Sequence, residues 1–110
     1  MEARPRELEN YVAADDTEPF EDWIERLDSA TRGIIDARLI RVRNGNLGDS
    51  HGVGEGVLEL VIDVGPGWRV YFGQDGDTVV LLTGGRKKSK KSQAKDIAEA
   101  KKFWRDYKRA

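Results

Sequence analysis

Two short turn signals in the second half of the chain constrain its fold more than any other feature. Gly65-Pro66-Gly67 and Gln74-Asp75-Gly76-Asp77 separate three apolar segments, at residues 57–64, 68–73 and 78–83. Segments of this length, bounded by Gly, Pro and Asp, are typical of β-strands joined by tight turns. We therefore predict an antiparallel meander of three strands.

Apolar residues at helical spacing precede and follow this meander. The pattern predicts one helix that begins at Thr17-Glu18-Pro19, a second that runs from a capping Ser29 to Asn44-Gly45, and a third over about residues 92–109. The inner face of the first helix is Phe20, Trp23, Ile24 and Leu27, and that of the third is Ile97, Ala100, Trp104 and Tyr107.

The remaining segments complete the predicted order. Residues 8–14 suggest an edge strand, residues 45–56 form a Gly-rich loop and residues 84–91 form a basic linker. The order is then β-α-α-β-β-β-α in a single domain that spans residues 1–110. We expect an α+β two-layer fold, in which the helices pack on one face of the sheet.

Composition excludes several classes of protein. The 110 residues include no Cys and one His, which argues against a disulfide framework, a thiolate metal site and a His-based metal centre. No run approaches the ~18 apolar residues of a membrane span. Charged residues stand at the start of the chain, where a secretory signal has its apolar segment. We expect a small cytoplasmic protein.

Charge is distributed unevenly, although the whole chain carries only −1. Residues 1–36 carry a net charge of −7 and residues 86–110 a net charge of +8. Basic segments of this kind often contact nucleic acid, and the alternative is a solvated Lys-rich helix surface. The candidate nucleic-acid-binding residues are Arg86, Lys87, Lys88, Lys90 and Lys91.

One face of the predicted sheet carries polar groups. If Gly65-Pro66-Gly67 is the whole loop, Asp63 lies opposite Arg69 and Val61 lies opposite Tyr71, with Glu59 on the same face. An open face with these groups is a candidate reaction surface. The alternative is that Asp63 and Arg69 form an ordinary cross-strand ion pair.

His51 stands in the Gly-rich segment that precedes the meander. Histidine changes its protonation near neutral pH, so His51 is a candidate general acid, although such a residue is more often simply solvated. The Gly52–Gly56 segment precedes a strand instead of opening a helix, and it is therefore no dinucleotide-binding motif.

Several segments together carry a family resemblance. The chain resembles the RelE/ParE superfamily of bacterial toxins, and within it the HigB-like addiction module killer proteins. The resemblance rests on residues 45–49, on residues 54–60 with residues 65–72, and on Leu81-Leu82-Thr83-Gly84-Gly85 with the segment after it. It covers about residues 8–107.

The resemblance implies the β-α-α-β-β-β-α fold and the toxin of a type II toxin–antitoxin system. It implies neutralisation by a helix-turn-helix antitoxin, with operator DNA contacted only through that antitoxin. Many such toxins are endoribonucleases that cut mRNA on the ribosome without a metal or other cofactor. In them the 2′-hydroxyl attacks the adjacent phosphate, and basic residues stabilise the developing charge.

The candidate catalytic residues follow from the predicted face. Arg69 is placed to grip the phosphate, Tyr71 to stack on a base or relay a proton, and Lys87 to support the same phosphate. Glu59 is a weaker candidate base, and His51 lies in the neighbouring loop.

The chain departs from the pattern of this group in its charges. Val61 replaces an Arg, Arg86 replaces an Asp, and the linker that follows is about three residues longer. Two alternatives therefore stay open: a non-enzymatic toxin that inhibits gyrase, as the ParE branch does, and a catalytically silent module that binds antitoxin or nucleic acid.

Overall fold

The computed structural model describes residues 5–110 of the chain, in which eight elements follow one another. The strands are β1 (Glu7–Asn10), β2 (Ser50–Gly54), β3 (Val57–Ile62), β4 (Trp68–Asp75) and β5 (Thr78–Arg86). The helices are α1 (Pro19–Glu25), α2 (Ser29–Arg43) and α3 (Lys90–Arg109). Within this part of the chain, no helix is both long and apolar enough to cross a membrane.

The strands form one mixed sheet in the order β1-β5-β4-β3-β2. The predicted meander is confirmed, because β3, β4 and β5 pair antiparallel with their neighbours. The predicted edge strand is confirmed as the shorter β1, which pairs parallel with β5. The α+β class is therefore correct. Because β1 pairs with β5, the first described strand lies beside the last one.

The expected loop at residues 45–56 contains a strand that the sequence did not predict. β2 pairs antiparallel with β3, and its register shifts between Gly52 and Gly54. Gly is unfavourable in strands. Because Gly has no side chain, it also interrupts the alternation of apolar and polar residues by which a strand is recognised in a sequence. Pairing with β3, and not local preference, therefore makes this segment a strand.

The predicted hairpin register is wrong by two residues. Ile62 pairs with Trp68 and Val61 pairs with Arg69, whereas the sequence had suggested Asp63 opposite Arg69. The loop is longer than Gly65-Pro66-Gly67, because Ile62 and Trp68 form the last pair and residues 63–67 connect them. Within it, the amide of Gly67 donates to the carbonyl of Val64. A shift of two residues keeps every side chain on its face, so the predicted polar face survives.

The helices do not all pack on one face of the sheet, as expected. α1 and α2 cover the face formed by Leu60, Ile62, Val70, Phe72, Val79 and Leu81. α3 covers the opposite face through Ala100 and Trp104, against Tyr71, Val80 and Leu82. The signal for this was present in residues 79–82, since an unbroken apolar run is typical of a strand buried on both faces.

Two boundaries also differ from the prediction. Asp28, and not Ser29, caps α2, because its carboxylate accepts from the amide of Thr31. The expected linker at residues 84–91 is shorter, since β5 continues to Arg86 and α3 begins at Lys90 behind the capping Ser89. Strand pairing between Arg86 and Trp68 accounts for the longer β5.

Candidate active site

A buried carboxylate forms the centre of the polar face. The Glu59 side chain is 1% exposed. It accepts a hydrogen bond of 2.7 Å from the Tyr71 hydroxyl and bonds of 3.0 and 3.3 Å from Nε2 of Gln93. Burial of a carboxylate is costly unless partners of this kind replace water. The three side chains therefore form a fixed polar unit between the sheet and α3.

Sheet register and helix position explain this unit. Glu59 on β3 pairs directly with Tyr71 on β4. Gln93 lies one helical turn before Ile97, on the side of α3 that packs against the sheet. Burial, together with the bond to Glu59, raises the pKa of Tyr71 far above its usual value. Tyr71 thus stays protonated and holds the carboxylate as a donor.

His51 lies between the buried Glu59 carboxylate and the solvent. Its Nε2 lies 3.0 Å from Oε1 of Glu59, and its side chain is 54% exposed. The position follows from β2, in which His51 pairs with Glu59 on β3. If Nε2 carries the proton toward the carboxylate, Nδ1 of a neutral imidazole is an acceptor. The pair has the geometry of a base oriented by a carboxylate.

Arg69 brings positive charge to the same unit. Its Nε lies 3.6 Å from Oε1 of Glu59, and its side chain is 14% exposed. Within residues 5–110, Nε of Arg69 is buried without a hydrogen-bond partner. The guanidinium is therefore held by packing and charge, and its donors are not all used by the protein.

A second carboxylate lies on the other side of Arg69. Gly85 pairs with Arg69 across the sheet, and Oδ2 of Asp96 lies 2.3 Å from the position that a Cβ of Gly85 would take. Burial and the charge of Glu99 raise the pKa of Asp96, whereas the charges of Lys95, Arg69 and Lys88 act in the opposite direction. Only a glycine at position 85 lets this carboxylate lie against the strand.

The basic segment is exposed, and only part of it lies near this site. Arg86 pairs with Trp68, which packs with the core under α1 and α2, so Arg86 lies on the face opposite to Arg69. Arg86, Lys87, Lys88, Lys90 and Lys91 are all exposed. The stem of Lys87 lies over Gly67, to whose carbonyl its amide donates, whereas Lys88 is near enough to Asp96 to affect its pKa. Lys87 is thus placed at the hairpin turn, some distance along the sheet from Glu59.

The structure brings four predicted site residues together, namely His51, Glu59, Arg69 and Tyr71. Tyr71 is fully buried, so no face of its ring is available to a base in this arrangement. Sequence reasoning did not single out Gln93 and Asp96 as site residues. A signal existed for Gln93, because a polar residue that continues the inner stripe of α3 faces the sheet.

Val61 marks a gap in the positive charge of this face. It pairs directly with Arg69, at the position where the resemblance led us to expect an Arg. Val61 adds no positive charge beside Arg69. Among residues 5–110, no three carboxylate or imidazole groups come together in a way that could hold a metal ion.

Comparison with known families gives a match over most of the chain. The family of phage derived Gp49-like proteins (DUF891) matches residues 22–105. The chain belongs to this family. The match includes all six residues of the site and every described element except β1 and part of α1 and α3. The Gp49-like family is associated with RelE-like toxins of toxin–antitoxin systems.

A curated relative matches most of the chain. The chain is similar to an uncharacterized protein of Haemophilus influenzae, with 43% identity over 84 residues. The similar region covers 74% of this chain and 82% of the relative. The similarity therefore extends over most of both proteins.

Proposed function

We propose that this Gp49-like protein is the toxin of a type II toxin–antitoxin pair and acts as a metal-independent, ribosome-dependent mRNA endoribonuclease. The observation that carries the proposal is the contact of 3.0 Å between the exposed His51 and the buried Glu59. Arg69 lies beside this pair, and the charge of Lys88 acts on Asp96, which lies against the strand next to Arg69.

The proposed reaction uses these side chains in separate roles. Nδ1 of His51 accepts the proton of a 2′-hydroxyl, whose oxygen attacks the adjacent phosphorus. Arg69 stabilises the negative charge that develops on the phosphate oxygens. The 5′ oxygen leaves and takes a proton from water. The products are a 2′,3′-cyclic phosphate and a 5′-hydroxyl end.

Glu59 acts as a positioning residue in this proposal. Because it is buried, it touches His51 and not the RNA, and its negative charge stabilises the imidazolium formed by proton transfer. Tyr71 and Gln93 fix Glu59 in turn. The three residues therefore set the direction of the imidazole without contact with substrate.

The experiment is induction of the protein in bacterial cells, followed by primer extension on translated mRNA. New 5′ ends that carry a hydroxyl group are expected with the wild type. His51→Gln should remove them, because loss of a general base lowers the rate by about 10²–10⁴-fold. A variant that folds, binds antitoxin and still cleaves would remove His51 from the mechanism.

The partner expected for such a toxin is a helix-turn-helix antitoxin encoded nearby. The acidic segment from Glu18 to Asp28 and the Arg-rich α2 are its proposed docking surfaces, since they lie away from the site. Reversal of the charges at Glu21 and Glu25 should weaken the complex. Unchanged complex formation would exclude this placement.

One observation favours the non-enzymatic alternative. Val61 pairs with Arg69 and adds no second positive charge to this face of the sheet. In addition, Glu59 and Tyr71 have almost no exposed surface. A gyrase-inhibiting toxin needs no reactive face. A supercoiling assay with purified protein separates the two: inhibition of gyrase without new mRNA ends would support this alternative.

A further inference from the structure

Arg69 lies between two carboxylates that come from different elements. Glu59 on β3 has four polar neighbours in Tyr71, Gln93, His51 and Arg69. Asp96 on α3 has a different setting, because it is half-buried and its carboxylate lies against Gly85 of β5. Glu59 is thus fixed as part of the protein interior, whereas Asp96 is close to solvent.

The backbone of β5 leaves the space in which the Asp96 carboxylate lies. Gly85 is buried and pairs with Arg69, and the Asp96 carboxylate occupies the space that any side chain at position 85 would fill. The charges of Arg69 and Lys88 both act on this carboxylate. Asp96 therefore places a negative oxygen against the strand position that pairs with Arg69, where the charges of Arg69 and Lys88 act on it.

A phosphate oxygen needs the same surroundings. Cations bind phosphate, and Arg69, whose side chain is 14% exposed, is the cation paired with Gly85, against which the Asp96 carboxylate lies. We propose that Asp96 is an internal competitor of the RNA phosphodiester, which has to displace this carboxylate from the neighbourhood of Arg69. The inference rests on the proposed function for the identity of the anion.

Such a competitor would lower the affinity for free RNA. RNA that is already held on the ribosome has a high effective concentration at the site and displaces the carboxylate more readily. Asp96 would thus be a specificity-determining residue that favours ribosome-bound mRNA over free RNA.

The test measures binding and not cleavage. A short single-stranded RNA with 2′-methoxy groups, which cannot be cut by its own 2′ oxygen, is titrated against purified protein at fixed salt concentration. Asp96→Asn should tighten binding about tenfold, as expected for removal of one nearby unit charge. Glu99→Gln is the matched control, because it removes the same charge from an exposed position one turn further along α3.

Two further variants distinguish this role from a structural one. Gly85→Ala keeps the charge of Asp96, but its methyl group fills the space in which the Asp96 carboxylate lies. This variant should therefore displace Asp96 and also tighten RNA binding. Arg69→Ala should abolish the gain from Asp96→Asn when the two changes are combined. Structural damage would instead weaken binding in each case.

The outcomes separate this inference from the proposed function. If Asp96→Asn binds no more tightly than Glu99→Gln, or gains affinity in the absence of Arg69, the inference is wrong even for an active nuclease. If the gain appears but no variant cleaves mRNA, the competitor role stands and the nuclease proposal fails.

Discussion

Arg69 shows how one residue depends on the charges around it. Its guanidinium lies 3.6 Å from the Glu59 carboxylate, with Asp96 on the other side. In the proposed nuclease reaction, a cation held in this way is oriented before the RNA arrives and needs no reorganisation during the reaction.

Arg69→Ala should abolish toxicity while the protein still folds and binds its antitoxin. The expected loss is about 2–4 kcal/mol of transition-state stabilisation, the contribution of one preorganised donor. Lys87→Ala should lose less, because other cations of the basic segment remain. Growth after induction and primer extension measure the effect. Arg41→Ala, which removes an exposed Arg from α2, is the control and should stay toxic.

Tyr71 tests the structural value of the buried unit. Tyr71→Phe removes the donor to Glu59 and should destabilise the protein by about 1.5–3 kcal/mol, as for a hydrogen bond to a charged group. Tyr107→Phe removes an exposed hydroxyl that donates to Asp75 and should cost less. Urea unfolding gives both values. Equal losses would mean that the bond to Glu59 carries no special weight.

Residue types and alternation predicted part of this site and missed the rest for a physical reason. Glu59, Arg69 and Tyr71 were assigned to one face because a strand alternates with period two, and this assignment survived the error in register. Asp96 was missed because its place depends on how α3 crosses the sheet. No local pattern in the sequence specifies that crossing.

At the scale of elements, tertiary contacts decide what local preference leaves open. β2 contains three residues other than glycine and becomes a strand through its pairing with β3. α2 follows its own signals more closely, since it begins at an Asp cap and ends at Asn44 before the left-handed Gly45. Segments with strong caps or apolar spacing were therefore predicted, and segments held only by a neighbour were not.

Gly84 fixes the distance between β5 and α1. A Cβ at this position would lie 2.3 Å from Cζ3 of Trp23, whose ring also contacts Phe20 and Trp68. Gly84→Ala should therefore destabilise the protein by about 1–3 kcal/mol through overpacking.

The matched control is a glycine with free space around it. No atom lies within 4 Å of the position of a Cβ at Gly33 in α2. Gly33→Ala should stabilise the protein by about 0.5–1 kcal/mol, because Ala loses less conformational entropy in a helix. Thermal melting of both variants measures the two opposite shifts. A similar shift for both would contradict the proposed packing at Trp23.

At the scale of the whole molecule, tyrosines tie α3 to distant parts of the chain. The Tyr11 hydroxyl donates to Asp106, and the Tyr107 hydroxyl donates to Asp75. Burial, followed by the bond to Asp106, raises the pKa of Tyr11 to about 12. The bond to Asp75, followed by burial, raises the pKa of Tyr107 to about 12. Both groups thus keep their protons longer in the folded state.

Stability should therefore fall in alkali. Between about pH 10 and pH 12 the unfolded chain releases tyrosine protons that the folded chain retains, so the free energy of unfolding decreases as pH rises. Below about pH 10 the contribution is fully present. Urea unfolding at several alkaline pH values measures the slope, and Tyr11→Phe should make it shallower. An unchanged slope in that variant would remove Tyr11 as a cause.

The parallel pairing of β1 with β5 has a consequence for the synthesis of the protein. Glu7 pairs with Thr78, so β1 leaves the ribosome long before its partner exists. At about 5–20 residues per second, roughly 4–14 seconds separate the two strands. Gln93 on α3, which holds the Glu59 carboxylate, is made later still. A nascent or truncated chain that ends before α3 therefore lacks the assembled site.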